Sequence, residues 1–256
     1  MAREKWTRDQ SILALYLYCQ IPFGQIHAKN KHIIETAEII RRSPSALSMK
    51  MCNFARFDPE LQSRGVSGLS NGSRLDWEIW SEFSSDFSQL AYESTVLLSK
   101  FENRGMDSFV DLSDLPTIPL GDTRDQMIRT RINQTFFREA LLSSYHYTCC
   151  ITKIQISGLL VASHIKPWSI CNQSEKTNPR NGLLLNAFHD RAFDKGYISI
   201  SKDLKLIVSE KVDKYANNEF SREWLKSLNG LEINRPEKFL PAPEFIEYHN
   251  DAVFIG

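Results

Sequence analysis

The chain has 256 residues, of which 42% are hydrophobic and 24% charged, so it can form one large domain or two modest ones and is not disordered throughout. Its start lacks the apolar segment of a signal peptide, and no apolar run reaches membrane-spanning length, so we expect a cytoplasmic protein with no membrane partner. The five cysteines include no Cys-x-x-Cys pair, which predicts reduced thiols and no structural zinc.

The formal charge is zero overall but unevenly distributed along the chain. Residues 1–60 carry nine basic and six acidic groups, and residues 129–200 carry nine and four. The segment between them, 61–128, carries five basic and eleven acidic groups. Phosphate groups respond to a local basic surface, so a net charge of zero does not exclude a nucleic-acid partner. Ordinary variation in surface charge would give the same distribution.

Three helices are predicted in the N-terminal region. Thr7 and Gln10 have the spacing of a capping box before an apolar pattern over 7–19. A second apolar pattern covers about 31–40. Ser43 followed by Pro44 is typical of a helix start and predicts a third helix over about 44–54.

The second and third of these helices fit a helix-turn-helix that reads DNA. The third helix is expected to leave Ser45, Ser48, Lys50 and Asn53 exposed. On this interpretation DNA is bound by three basic side chains, Arg41, Arg42 and Lys50. A bundle used for docking or dimerisation would have the same pattern.

The next segments divide the chain. Residues 73–102 form one long amphipathic pattern whose aromatic side chains, Trp77 and Phe101 among them, are expected in the core. Residues 103–122 are acidic, contain two prolines and show little periodicity, which is typical of a linker. We therefore predict a helical domain for DNA binding or regulation over 1–102, a linker over 103–122 and a second domain over 123–256.

The second domain is predicted to be α+β. A helix is expected from near Thr123 to about Ser144, followed by short strands over 159–162, 183–185, 197–200 and 204–208. The proline-containing tail is expected to wrap over this domain as irregular structure. Within the domain, His164 ends a strand, Asn181 begins the next and His189 opens the helix that follows. This order predicts a compact ββα unit that brings the three side chains to one cleft, with Lys166 and Arg180 adding positive charge around it.

These residues carry a resemblance to a known family. The runs VASHIKPW and NPRNGLLLNAFHDRAFDKG resemble the signatures of the HNH endonuclease family, and the resemblance extends over about 135–210. It implies a ββα-metal nuclease domain with His164 as general base, Asn181 orienting that base or touching the metal, and His189 as metal ligand. The implied cofactor is Mg²⁺, Mn²⁺ or another small divalent ion.

One position departs from the pattern of many relatives. Where they have an aspartate before the base histidine, as a metal ligand, this chain has Ser163. A hydroxyl is a poor ligand, so Asn181, Asp190 and Asp194 are candidates to take its place, although Asp194 also fits a structural role at a helix end.

The first hypothesis for function is a metal-dependent DNA endonuclease, in the setting of restriction or anti-phage defence that the resemblance implies. Because one site cuts one strand at a time, a homodimer is the expected form for double-strand cleavage. The second hypothesis is a non-catalytic DNA-binding regulator that keeps the ββα scaffold, with Ser163 marking a lost metal ligand. The third is a nuclease that stays inactive until its N-terminal region senses a ligand, a partner or a modified base.

Overall fold

The computed structural model describes residues 5–66, 72–113, 121–214 and 218–256. Most of the regular structure is helical, and two small two-stranded sheets accompany it. None of the described helices combines the length and the apolar composition that a membrane span requires. The five cysteines are free thiols, as expected.

Among the described residues, six helices precede residue 103: α1 Arg8–Gln20, α2 Lys31–Ile39, α3 Pro44–Ala55, α4 Pro59–Ser63, α5 Arg74–Phe83 and α6 Phe87–Glu102. Five more follow: α7 Asp122–Ser144, α8 Gln173–Thr177, α9 Ala187–Asp194, α10 Glu219–Trp224 and α11 Pro243–Ala252. The strands are β1 Leu160–His164, β2 Gly182–Asn186, β3 Ile198–Ile200 and β4 Leu206–Val208.

Local signals placed several helices correctly. The Thr7 capping box is formed at α1, and the Ser43 hydroxyl accepts from the Ala46 amide at the start of α3. The long pattern over 73–102 is two helices rather than one, because the Asp86 carboxylate caps a new helix.

Two further expectations about the core and the tail were wrong. Trp77 and Phe101 are 54% and 44% exposed, so the aromatic stripe is not wholly buried. The tail contains α11, because Pro243 occupies the first helical turn and Phe245 and Ile246 follow at positions that bury both side chains.

The long helix α7 contributes to two hydrophobic cores. The helix supplies Ile128, Ile132 and Phe136 to the core formed with α1 to α6. Its second half supplies Phe137 and Leu141 to the core formed with the strands, α9 and α11. Of the predicted linker before it, residues 114–120 lie outside the described part of the chain, and Asp107 forms an ion pair with Arg124 of α7 at 2.6 Å.

The tail also anchors in the N-terminal helical part, which the expectation of a wrap over the second domain did not foresee. The Lys238 ammonium is fully buried and donates to the carbonyl oxygens of Tyr18 and Ile21, the latter at 2.8 Å. Burial lowers the pKa of Lys238 to about 8. The adjacent Glu237 carboxylate accepts from the Phe23 amide at 2.7 Å. Both residues therefore fix the tail to the end of α1.

The first sheet positions polar side chains in the C-terminal half of the molecule. Strands β1 and β2 pair antiparallel, with His164 opposite Gly182 and Leu160 opposite Asn186. A Cβ atom at Gly182 would collide with Phe137 and Leu141, so this glycine lets α7 approach the sheet closely. Strands β3 and β4 form a separate antiparallel hairpin after α9.

Gly196 follows α9 and permits close packing of the C-terminal segment. Its φ is +71°, and a Cβ atom there would collide with the Val253 carbonyl. We therefore expect Gly196→Ala to lower the free energy of unfolding by about 2 kcal/mol or more, from combined strain and overpacking. Thermal denaturation measures the loss. Gly230→Ala is the matched control, since its φ is +80° with nothing within 4 Å, and it should cost about 1 kcal/mol. Equal losses in both variants would show that the close approach of Val253 is unimportant.

Candidate functional site

A cleft opens between the end of β1, the helix α9 and the C-terminal helix. Its lining includes His164 and Trp168 from the β1 side. The α9 side supplies two acidic and two basic side chains, Asp190, Asp194, Arg191 and Lys195. Neither Asn181 nor His189 lines this cleft, and both are 0% exposed. The expectation that His164, Asn181 and His189 meet in one cleft was therefore wrong.

His164 is held in the cleft by a ring stack and a hydrogen bond. Its imidazole lies 3.9 Å from the Phe137 ring centroid at an interplanar angle of 11°. Its Nε2 lies 3.0 Å from the Lys176 carbonyl oxygen. Because a carbonyl only accepts, Nε2 carries the proton, and in the neutral ring Nδ1 keeps its lone pair. Among the described residues Nδ1 has no hydrogen-bond partner, so that lone pair is available to a ligand or water.

Burial controls the protonation of His164. Desolvation of the partly buried ring lowers its pKa, and the Lys176 carbonyl offsets part of that effect. The imidazole is therefore neutral at pH 7, which is the form that can accept a proton.

Asn181 has a structural position behind the cleft. Its Oδ1 accepts from the Lys166 amide at 2.8 Å, and its Nδ2 lies 3.3 Å from the carbonyl oxygens of Lys166 and Glu175. These bonds tie the loop after β1 to the start of β2. That loop also carries Lys176, so the same loop that Asn181 holds supplies the carbonyl that bonds His164.

His189 is also fully engaged within the protein. Its Nδ1 lies 2.8 Å from Asn186 Nδ2, and its Nε2 lies 2.8 Å from the Trp224 carbonyl oxygen. Both contacts are satisfied by a neutral ring with the proton on Nε2. A metal ligand needs a free nitrogen lone pair, and His189 offers none in this arrangement.

Asp190 and Asp194 are one helical turn apart on α9 and share the cleft with His164. Desolvation, together with the charge of Asp190, raises the pKa of Asp194. Arg191 and Lys195 act in the opposite sense on the same carboxyl. The cleft is thus lined by two carboxylates, two basic side chains and an imidazole with an open Nδ1.

The basic residues expected to flank the site are already paired. Lys166 Nζ lies 2.8 Å from both carboxylate oxygens of Glu175. Arg180 lies 3.8 Å from Glu60. Arg191 and Lys195, which sequence reasoning missed, have no ion pair with an acidic side chain in the described parts of the chain, and both are exposed in the cleft.

The N-terminal candidates for DNA contact are placed differently from expectation. Lys50 is 3% exposed and forms an ion pair with Asp76 of α5, and Ser48 is 8% exposed. The expectation that α3 exposes Ser48 and Lys50 was wrong, and Lys50 is covered by α5, whereas Ser45 is exposed as expected. Arg42 lies over the Trp6 ring and donates to Gln10. Arg41 is exposed.

The acidic pair is the part of this structure that fits a divalent ion. Among the described residues no group of three His, Cys, Asp or Glu side chains could hold a metal. Mg²⁺, however, binds through one or two carboxylates, with water and substrate phosphate completing its shell. Asp190 and Asp194 meet that requirement, and a bound cation would offset both effects that raise the pKa of Asp194, its desolvation and the nearby charge of Asp190. Oxygen donors favour Mg²⁺ or Mn²⁺ over zinc.

The helical spacing of residues along α9 could have identified Asp190 and Asp194 from the sequence. His189, Ala192 and Phe193 share one face of α9 and are all buried, so the histidine belongs to the core side. Asp190 and Asp194 then fall on another side of the helix, and both line the cleft with His164.

The comparisons with known proteins agree with this location. The family model for HNH endonuclease matches residues 149–201, which contain β1, β2, α9 and the loop between the strands. No curated protein matches the chain. The matched segment includes His164, Asn181, Asp190 and Asp194, and it lies in the part of the chain where the motifs predicted a nuclease. The match therefore supports a relationship of residues 149–201 to the HNH endonuclease family.

Proposed function

We propose that this protein is an endonuclease that hydrolyses phosphodiester bonds in DNA with the help of a divalent cation. The observation that carries the proposal is the open Nδ1 of His164 in a cleft that also holds Asp190 and Asp194. The family of residues 149–201 supports it. In this proposal β1, β2 and α9 form the ββα unit of the nuclease, and restriction or anti-phage defence is its setting.

The reaction requires a water molecule to lose a proton as it attacks phosphorus. His164 accepts that proton at Nδ1, while the Nε2–H bond to the Lys176 carbonyl keeps the ring in one tautomer. The stack on Phe137 fixes the ring plane. The Lys176 carbonyl, which accepts from Nε2–H, stabilises the resulting imidazolium.

The α9 side chains bind the other reacting groups. Asp190 and Asp194 hold the cation, which when bound supplies charge stabilisation to the scissile phosphate and the departing oxygen. Arg191 and Lys195 bind phosphate oxygens of the DNA strand that is cut, because both of these basic side chains are exposed in the cleft. The DNA contacts are thus assigned to α9 in place of Lys166 and Arg180.

In this proposal the N-terminal helical part supports the site rather than reading bases with α3. Its helix α6, and the helix α7 that both cores share, pack against α8, which precedes Asn181 and carries Lys176. Arg180, in the same loop as Lys176, lies 3.8 Å from Glu60 of α4. A ligand or partner that displaced this part would therefore change the position of the Lys176 carbonyl, which is how the region could regulate cleavage.

Metal removal tests the proposed activity. Supercoiled plasmid incubated with the full-length protein should be nicked or linearised in Mg²⁺ or Mn²⁺, and excess EDTA should stop the reaction. Returning Mg²⁺ should restore it. Because the proposed ligands are oxygens, a zinc-selective chelator should have little effect. Undiminished cleavage in EDTA would contradict the proposal.

A further inference from the structure

Three rings form a parallel column that runs from the interior of the molecule to its surface. Trp224 is stacked on the buried His189, with centroids 5.8 Å apart and planes at 13°. Phe220 is stacked on Trp224 at 5.1 Å and 18°. Phe220 is the outermost ring and is 52% exposed, so the column ends at solvent.

Phe188 flanks the outer end of this column. Its ring meets Phe220 edge-on at 5.5 Å and 75°, and it is 38% exposed. The interior end is fixed, because His189 Nε2 donates to the Trp224 carbonyl at 2.8 Å. The surface therefore presents a preorganised aromatic face rather than loose apolar side chains.

The column adjoins the cleft through α9. Phe188 and Arg191 are three residues apart on this helix, which places their Cβ atoms about 5–6 Å apart on one face. Arg191 lines the cleft. Along duplex DNA, one strand advances about 3.4 Å per nucleotide. The distance between Phe188 and Arg191 therefore corresponds to roughly one or two nucleotides, counted from a phosphate bound at Arg191.

We propose that Phe220, flanked by Phe188, stacks on an unpaired base of the DNA strand whose phosphate occupies the cleft. A base has a flat π-face that continues a parallel column, and stacking on exposed aromatic rings is a common mode of single-strand recognition. A protein interface would use about 20–30 residues on each side, far more than this pair of exposed rings. The inference rests on the proposed nuclease function and adds that the substrate is single-stranded or locally unpaired beside the cut.

Binding measured in EDTA tests the stacking without cleavage. A single-stranded oligonucleotide carrying 2-aminopurine should lose fluorescence on binding, and Phe220→Ala should abolish that quenching and weaken binding about ten-fold. Phe220→Trp should restore both. Phe101→Ala, which removes a 44% exposed ring from α6, is the matched control and should change neither. Binding of a fully paired duplex should be nearly insensitive to Phe220→Ala.

Each other outcome overturns the inference in a recognisable way. Quenching that persists in Phe220→Ala, or an equal effect of Phe101→Ala, would remove the stacking role. Self-association in sedimentation that Phe220→Ala abolishes would assign the surface to a second copy of the chain. The two proposals fail separately, since metal-dependent cleavage without quenching removes only the stacking, and quenching without any cleavage removes only the nuclease activity.

Discussion

His164→Ala is expected to reduce the rate of DNA cleavage by about 10²- to 10⁴-fold while leaving the chain folded. The loss follows from removing Nδ1, an acceptor that is neutral, has no hydrogen-bond partner among the described residues and is held in a single tautomer by the Lys176 carbonyl. The ring also stacks on Phe137, so the variant should unfold at a slightly lower temperature than the native protein. Single-turnover cleavage of a labelled duplex at saturating Mg²⁺ measures the effect.

His27→Ala is the matched control for this substitution. His27 is exposed and lies in the N-terminal helical part, so its removal should leave the cleavage rate within about two-fold of the native value. DNA affinity in EDTA should be nearly unchanged in both variants, because the phosphate contacts are assigned to Arg191 and Lys195. Native activity in His164→Ala would remove the histidine from the mechanism.

Asp190→Ala is expected to lower cleavage at least about a hundred-fold at a fixed low Mg²⁺ concentration. Part of the loss should be recovered at high concentrations of the cation, because Asp194 remains in the cleft.

His189→Ala is expected to affect stability rather than the Mg²⁺ dependence of cleavage, because it removes a buried ring that bonds Asn186 and Trp224. This variant should lose about 2–4 kcal/mol of stability but keep its dependence on Mg²⁺.

The comparison of these two variants decides which α9 side chain serves the cation. Cleavage by His189→Ala should be measured at low temperature and normalised to the folded fraction. If this variant does not fold, His189→Gln takes its place, because glutamine retains a polar side chain of similar size. A shift of the Mg²⁺ dependence in His189→Gln, with none in Asp190→Ala, would return the ligand role to the histidine. That result would require His189 to leave its contacts with Asn186 and Trp224.

Signals that lie close together in the sequence predicted the local structure well. The Thr7 capping box and the Ser43-Pro44 pair located the starts of α1 and α3, because a cap is satisfied by residues within one turn. The strand that ends at His164 was also located, since its apolar run is short and bounded. The break at Asp86 was missed because an aspartate inside an amphipathic pattern reads equally well as a solvent-facing side chain.

Tertiary contacts limited what could be inferred about the site. The burial of Lys50 depends on Asp76, which is 26 residues away and belongs to another helix. His189 was assigned from motif order, although its spacing to Phe193 already placed it on the buried face of α9. Its second partner, the Trp224 carbonyl, belongs to a helix that the sequence did not predict. The role of α7 in both cores likewise emerges only from packing.

The pH dependence of single-turnover cleavage at saturating Mg²⁺ tests the central claim, that neutral His164 is the base. Burial lowers the pKa of His164 below its ordinary value of 6.5, and the base is active only when deprotonated. The rate should therefore be constant around pH 7 to 8 and fall as the pH drops through a midpoint below 6.5. A rate that increases as the pH falls, or a His164→Ala variant with the native profile and rate, would contradict the account.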